Sequence, residues 1–293
     1  MILGFRGGRL RPAAAFVLLL LSACSRPHTI VVGSKNFTEQ IILGEMAAQQ
    51  IERKVHVPVL RRLDLGGTLL AHESLVHGQI DLYPEYTGTA DSAVLKQITP
   101  SDPLAAYVQV KDAYRERFHL VWLPPLGFND TFAMVVRRRD AQQLPAPTLS
   151  AATERSWRLG VGYEFLTRPD GLARLDHIYR VQWNGTPKTM DLGLLYQALQ
   201  QGQVDMAAGN STDGILTEDK FTVLADDRKA FPPYNAAFVV RQALLEQDSG
   251  VRWALTMLSD RISDDTMRSL NRRVDVQHEP VAKVVAEFLA SEP

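Results

Sequence analysis

The segment LVHGQIDLYPEYTGT, residues 75–89, has a counterpart in LQQGQVDMAAGNSTD, residues 199–213. Both contain Leu-x-x-Gly-Gln-(Ile or Val)-Asp, then a short turn and a loop rich in Thr or Ser. Each predicts a helix that stops at the glycine, followed by a strand and a loop. The repeat favours two halves of similar architecture, although a similar seven-residue segment also arises by chance or from the shared requirements of helix-to-strand connections.

A second repeated theme is a strand followed by a tight loop and a helix. Residues 28–33, HTIVVG, are a β-branched run ending in glycine, and residues 157–171, WRLGVGYEFLTRPDG, have the same order. Asn36 and Glu39 have the spacing of a capping box, which predicts the start of the first helix. Apolar residues then fall on one face of that helix: Leu43, Met46, Ala47 and Ile51. Strands alternating with helices predict an α/β fold, with a parallel-rich sheet in each lobe and helices on both faces.

Two proline pairs interrupt this pattern and predict where the chain passes between lobes. They are Pro124-Pro125 and Pro232-Pro233, which place the crossings near 123–127 and 230–235. Lobe one is then 29–125 plus 236–293, and lobe two is 126–235. Loops at the carboxyl ends of the strands of two facing lobes form a cleft, which is a usual place for a small-molecule site.

The N-terminus predicts secretion and a lipid anchor. Three arginines precede the apolar run AAAFVLLLL at 13–21, and LSAC follows. The run is shorter than the about 20 apolar residues that span a bilayer, so 1–23 is interpreted as a signal peptide. LSAC resembles a bacterial lipobox, which predicts lipid on Cys24 and a tether at 24–28. A plain signal peptide with a chance cysteine is the alternative.

The composition excludes several classes of function. The chain has 293 residues, a net charge of −1 and 45% hydrophobic residues. This is typical of a globular protein without electrostatic attraction to nucleic acid. The sequence has no His-Glu-x-x-His, Gly-x-Ser-x-Gly or phosphate-binding loop motif, and Cys24 is its one cysteine. We therefore expect no enzyme activity, no cofactor and no metal site.

Several blocks together resemble the osmoprotectant-binding lipoproteins of ABC importers, the receptors for glycine betaine, choline and carnitine. The blocks are VVGSKNFTEQIILGEM, GGTLLAHESLVHGQIDLYPEYTGTA, LGFNDTFAMVVR, FLTRPDGL, FPPYNAAFVV and LSDRISDDTMRSLNRRVD. The resemblance implies a type II periplasmic-binding-protein fold of two lobes. It further implies a monomer that closes on a small zwitterionic or cationic ligand outside the cytoplasm and delivers it to an ABC permease.

The resemblance also implies an aromatic cage for a quaternary ammonium. Tyr86 and Tyr234 match cage tyrosines, whereas Phe132 and Asn210 stand where relatives have tyrosine. A trimethylammonium has no N–H to donate, so aromatic faces hold it, each by roughly 0.5–2 kcal/mol. Asn210 leaves the identity of the ligand open, because an amide at this position suits either a ligand with weaker cation–π attraction or one with a hydrogen-bonding group. A thione-bearing betaine, a bile-type compound and a polar amino acid remain alternatives.

Basic and hydroxyl side chains are implied to hold the ligand's carboxylate. Lys35, Thr89 and Arg168 match these positions, and Asp130 and Glu164 match acidic positions near the site. An arginine binds a carboxylate through two parallel hydrogen bonds. Pairing with the adjacent Asp170 is an alternative role for Arg168.

Two questions stay open at the level of sequence. The first is which ring replaces the missing cage tyrosine; Tyr83, Tyr163 and Phe165 lie in the same loops. The second is whether the protein transports its ligand or serves as a sensor or adaptor with the same fold.

Overall fold

The computed structural model describes residues 1–2, 4 and 29–291. Cys24, most of the predicted signal peptide and nearly all of the predicted tether lie outside the described residues. Within the described ranges, no helix has both the length and the apolar character needed to cross a bilayer.

The strands form two five-stranded sheets and a two-stranded ribbon. In chain order they are β1 (Ile30–Gly33), β2 (Val59–Arg62), β3 (Leu82–Tyr86), β4 (Leu120–Trp122), β5 (Phe132–Arg137), β6 (Ser156–Trp157), β7 (Leu159–Val161), β8 (Gln182–Trp183), β9 (Lys188–Thr189), β10 (Met206–Asn210), β11 (Phe221–Val223) and β12 (Ala236–Arg241). The first sheet has the order β2-β1-β3-β12-β4, and the second has the order β11-β5-β10-β7-β9.

Helices cover both faces of each sheet. They are α1 (Thr38–Val55), α2 (Thr68–Val76), α3 (Thr87–Thr89), α4 (Pro103–Phe118), α5 (Arg138–Ala141), α6 (Leu149–Ala152), α7 (Tyr163–Thr167), α8 (Leu172–Tyr179), α9 (Leu195–Gln200), α10 (Gln242–Gln247), α11 (Ser249–Thr256), α12 (Asp264–Asp275) and α13 (Val281–Ser291). In lobe one, α1 packs with α11, α12 and α13 on one face, and α2 and α4 cover the other. The predicted two-lobe α/β fold is therefore confirmed.

The strand pairing is more mixed than the sequence predicts. In the first sheet β1 is parallel to β2 and β3, whereas β12 is antiparallel to β3 and β4. In the second sheet β5 is antiparallel to β10 and β11, and β7 is parallel to β10 and β9. The antiparallel pairings belong to β5 and β12, the strands by which the chain enters one lobe from the other.

The repeated segment occupies equivalent positions in the two sheets. The backbone N–H of Asp81 donates to Val31 O at 2.7 Å, and that of Asp205 donates to Arg158 O at 2.7 Å. The Asp81 carboxylate accepts from Val31 N at 2.9 Å, and the Asp205 carboxylate accepts from Arg158 N at 3.4 Å. Each aspartate thus joins its strand to a neighbouring strand, so the repeated segment has the same structural role in both sheets.

The glycines of this repeat end helices, as predicted. Gly78 follows α2 with φ +68°, and Gly202 follows α9 with φ +73°. This left-handed conformation costs glycine little, because it has no Cβ.

The predicted capping box at the start of α1 is wrong. The residue before the helix is Phe37, and no side chain caps the first turn. The Asn36 backbone N–H donates to Gly66 O at 3.1 Å. Glu39 is 3% exposed and bonds to residues far away in the chain, so tertiary contacts outweigh the local motif.

Residues 123–131 and 224–235 connect the two sheets and contain the two proline pairs. The connections are hydrogen-bonded to each other, because Asn129 and Asn235 form an antiparallel bridge and Asp130 N donates to Tyr234 O at 3.2 Å. The junction of the lobes therefore contains aromatic side chains from the end of the second connection and from the start of β5.

Candidate ligand site between the lobes

Four aromatic side chains meet at the junction of the lobes. The Phe132 ring lies edge-on to three others, with centroid distances of 4.9 Å to Phe165, 5.6 Å to Phe231 and 5.5 Å to Tyr234. The structure thus brings together the predicted residues Phe132 and Tyr234. Phe231 was not predicted, although it directly precedes the proline pair that marks the crossing.

Gly88 allows Tyr234 to lie against α3, the short helix after β3. A Cβ on Gly88 would lie 2.6 Å from Cδ1 and from Cε1 of Tyr234, and 2.7 Å from Pro233 O. Such distances are below van der Waals contact, so a side chain at Gly88 would displace the tyrosine ring or the crossing segment.

Arg168 lies beside this aromatic group. Its guanidinium carbon is 5.0 Å from the centroid of the Phe132 ring and 5.7 Å from that of Tyr234. Both distances are within the range of cation–π attraction. The site therefore holds a cation of the protein itself against the two rings that the family resemblance assigns to a cationic ligand.

A network of hydrogen bonds holds Arg168. Two parallel bonds join it to Asp170 at 3.0 and 2.6 Å, and Nη1 donates to Thr89 Oγ1 at 3.1 Å. The Tyr234 hydroxyl donates to Asp170 at 2.7 Å. Burial raises the pKa of Asp170, but the charge and hydrogen bonds of Arg168 outweigh this and lower it. Arg168 is thus ionised, oriented and partly neutralised, so the alternative pairing with Asp170 is observed.

Tyr86 and Lys35 form a second cation–ring contact. Lys35 Nζ lies 5.1 Å from the Tyr86 centroid and donates to Glu85 at 2.5 Å. Tyr86 is 3% exposed, and its hydroxyl donates to Glu39 at 2.7 Å. Tyr86 and Tyr234 belong to the same hydrophobic cluster, with Phe132 packed against it. The predicted rings therefore share one buried region.

Buried carboxyl groups from both lobes surround Thr212, which sequence reasoning missed. The Thr212 hydroxyl bonds to Asp130 at 2.7 Å and also to Glu39, while Asn271 Nδ2 donates to Glu39 and to Thr212 O. Burial raises the pKa of Glu39 to about 7. Burial and the nearby charge of Glu39 raise the pKa of Asp130 well above its usual range. Because one hydroxyl hydrogen cannot serve two carboxylates, the arrangement favours a proton held between them.

Asn210 lies next to Phe132 in the second sheet. The two residues are paired between β10 and β5, and the Asn210 backbone N–H donates to Asp213 at 2.8 Å. The half-buried Asn210 is thus close to the aromatic group.

The candidates for the missing ring lie in three different places. Phe165 contacts Phe132, whereas Tyr163 is 71% exposed on the surface of lobe two. Tyr83 packs on the opposite face of the first sheet, and its hydroxyl donates to Glu85 at 3.0 Å. Among the three, the structure brings Phe165 to the aromatic group.

Glu164, another predicted site residue, contacts lobe one. Its carboxylate accepts from Thr68 N at 2.7 Å and from Thr68 Oγ1 at 3.0 Å. In the part of the chain that the structure describes, no group of three or more His, Cys, Asp or Glu side chains is arranged to hold a metal ion.

The family described as "Substrate binding domain of ABC-type glycine betaine transport system" matches residues 28–291. The chain is 33% identical to the glycine-betaine-binding protein of Pseudomonas aeruginosa over 92% of its own length and 90% of that protein. It is 31% identical to an ergothioneine transport permease/binding protein of Helicobacter pylori over 94% of its own length, and it spans 51% of that longer protein.

A solved structure with the same architecture is that of a glycine betaine/carnitine/choline ABC transporter. The TM-score is 0.74 at 30% sequence identity, and the match covers 89% of this chain and 97% of that one. Since the family covers nearly all of the described chain and is not enzymatic, the expectation of a binding protein is confirmed. The chain belongs to the family of substrate-binding domains of ABC-type glycine betaine transport systems.

Proposed function

We propose that this protein is an extracytoplasmic receptor that binds a small quaternary-ammonium osmoprotectant and delivers it to an ABC permease. The observation that carries the proposal is the contact of Arg168 with both Phe132 and Tyr234. A betaine has a cationic head and a carboxylate a few bonds apart, and the site presents aromatic faces with a guanidinium beside them.

The aromatic faces would select the ligand's head by its weak hydration. A trimethylammonium is bulky and its charge is diffuse, so moving it from water to an aromatic surface costs little, and each ring contributes roughly 0.5–2 kcal/mol. Sodium and potassium would lose far more hydration. In this account Tyr86, Phe132 and Tyr234 hold the head, and Phe165 and Phe231 complete the aromatic surface.

The ligand's carboxylate would bind the cations that are already oriented. Arg168 and Thr89 come from opposite lobes and are joined at 3.1 Å, and Lys35 is 3% exposed at the end of β1. A carboxylate bound between them would contact both lobes at once, so binding would favour the arrangement in which the lobes touch. The crossings near 123–127 and 230–235, which lie within the two connections between the sheets, are the proposed hinge.

The remaining parts of the proposal follow from the N-terminal sequence and the family. Lipid on Cys24 would anchor the receptor to a bacterial membrane on its extracytoplasmic side. We propose that the receptor is monomeric and that lobe one is 29–125 plus 236–293, with lobe two at 126–235.

The test is a thermal-shift screen of the mature domain with glycine betaine, choline, carnitine and proline betaine. A ligand that binds the folded form alone raises the melting temperature by mass action. We expect at least one compound to raise it in a saturable way, and sodium chloride at equal concentration not to. A melting temperature unchanged by every amine would contradict the proposal.

A second candidate ligand is a betaine that also carries a hydrogen-bonding heterocycle. Asn210 beside Phe132 favours it, because the short amide can donate and accept hydrogen bonds at a position where a tyrosine would place an aromatic face. The Helicobacter pylori relative is named for ergothioneine, a betaine of this kind. Adding ergothioneine to the screen distinguishes the candidates, because the larger shift identifies the better ligand.

A further inference from the structure

The N-terminus of α2 is capped by a side chain from the other lobe. The residue before the helix, Gly67, has no side chain to supply a cap. The cap comes from Glu164, whose Oε1 accepts from Thr68 N at 2.7 Å and whose Oε2 accepts from Thr68 Oγ1 at 3.0 Å. Glu164 lies 96 residues further along the chain, in α7 of lobe two.

Gly67 makes room for this carboxylate. A Cβ on Gly67 would lie 2.9 Å from Glu164 Oε1. The φ of Gly67 is −76°, which any residue adopts, so the glycine is not needed for the backbone conformation. What it supplies is the space that the Glu164 carboxylate occupies.

Glu164 is also joined to the proposed ligand site. Arg168 Nη1 lies 3.4 Å from Glu164 Oε2, and the same nitrogen donates to Thr89 of lobe one at 3.1 Å. Burial raises the pKa of Glu164, but Lys35, Arg168 and the hydrogen bonds from Thr68 outweigh this and lower it. The carboxylate is therefore ionised at neutral pH, where its charge also complements the positive end of α2.

We propose that Glu164 is a closure latch, a positioning residue that caps α2 only when the two lobes touch. When the lobes separate, the Thr68 N–H at the start of α2 loses its side-chain acceptor, and the Glu164 carboxylate becomes hydrated. The cap thus stabilises the closed form and not the open form. Since a ligand held by both lobes binds a closed form, the apparent affinity changes in proportion to the fraction of protein that is closed.

The proposal rests on the proposed function only in that closure serves ligand capture, and its test has a readout that needs no ligand. Spin labels on cysteines introduced at Glu116 of lobe one and Thr186 of lobe two, both exposed, report the distance between the lobes. Wild type is compared with Glu164→Ala and with Glu154→Ala, a matched control at an exposed glutamate of lobe two. Melting curves establish that each variant is folded.

We expect Glu164→Ala to shift the distance distribution toward longer values and to speed ligand dissociation about tenfold, as for the loss of hydrogen bonds to a charged group. Glu154→Ala should change neither. Gly67→Ala should also favour the open form in the wild-type background, because its methyl group displaces the carboxylate. In the Glu164→Ala background the same change should have no further effect.

Two outcomes separate this inference from the proposed function. If wild type binds a ligand and Glu164→Ala leaves both the distances and the dissociation rate unchanged, the latch is wrong and the function stands. If no amine binds but Glu164→Ala still opens the lobes, the latch stands and the ligand assignment is wrong. Equal effects of Gly67→Ala in both backgrounds would also contradict the latch.

Discussion

The guanidinium carbon of Arg168 lies 5.0 Å from the centre of the Phe132 ring. A buried arginine in this position already uses one face of an aromatic residue that the proposal gives to the ligand's head. Asp170 holds the guanidinium through two parallel bonds, so its orientation does not depend on the ring. Arg168 is therefore a cation of fixed orientation, and in the proposed function it is the group that meets the ligand's carboxylate while the head contacts the neighbouring rings.

Replacing Arg168 should weaken the binding of ligands that have a carboxylate more than the binding of ligands that lack one. In Arg168→Ala we expect the affinity for glycine betaine to fall by about 2–3 kcal/mol, as for a lost charge-assisted pair. Choline has no carboxylate, so its affinity should fall less. Calorimetry with both ligands on the same preparation makes the measurement. Equal losses for the two ligands would remove Arg168 from carboxylate recognition.

Tyr86 should contribute through its ring more than through its hydroxyl. Tyr86→Ala should weaken binding of a quaternary ammonium by about 1–3 kcal/mol, because both packing and cation–π attraction are lost. Tyr86→Phe keeps the ring and loses only the hydrogen bond to Glu39, so its loss should be smaller. The two variants are compared by competition binding. An unchanged affinity in Tyr86→Ala would place the ligand elsewhere.

Gly88→Ala should damage both stability and the site. The new methyl group would overlap the Tyr234 ring and Pro233 O, and overpacking of this kind costs about 1–3 kcal/mol. Gly193→Ala is the matched control, since a Cβ at Gly193 would meet no atom within 4 Å. Urea unfolding of both variants measures the free energy of unfolding. Similar free energies of unfolding for the two variants would mean that the Tyr234 ring moves aside without loss of stability.

The carboxyl cluster around Thr212 should make stability depend on pH. Burial raises the pKa of Glu39 from 4.5 to about 7 and that of Asp213 to about 6. A carboxyl group whose folded pKa is raised stabilises the fold fully below its unfolded pKa, and this contribution is lost as pH rises through the folded value. Between pH 4.5 and 7 we therefore expect the contribution of these groups to the free energy of unfolding to fall by on the order of 2 kcal/mol.

The measurement is the melting temperature at pH 5.5 and pH 8. In wild type the melting temperature should be lower at pH 8 than at pH 5.5. In Glu39→Gln the difference between the two pH values should be smaller, because the glutamine side chain is uncharged at both. The cluster joins Glu39 of lobe one to Thr212 of lobe two, so ligand affinity should also be lower at pH 8. A pH dependence as steep in Glu39→Gln as in wild type would show that other groups cause it.

The sequence predicts features that depend on local pattern. The repeated Gly-Gln-(Ile or Val)-Asp segments, the left-handed glycines at 78 and 202 and the proline pairs at the crossings all reflect short-range requirements of helices, strands and turns. The two-lobe α/β fold follows from them, together with the family resemblance.

The parts that the sequence did not predict depend on contacts between distant residues. Glu39 has the spacing of a capping residue, yet its carboxyl group bonds to Thr212, 173 residues away. Glu164 bonds to Thr68 across 96 residues, and no local signal marks the pair. Such pairs exist only once the lobes meet, so the spacing of residues along one segment cannot indicate them.

The most direct test of the central claim is a calorimetric titration of the mature domain with glycine betaine, choline, carnitine and ergothioneine. We expect saturable binding of at least one of them with one ligand per protein, and weaker binding of that ligand in Arg168→Ala or Tyr86→Ala. Folded protein that gives no binding heat with any of the four, at several temperatures, would contradict a quaternary-ammonium receptor.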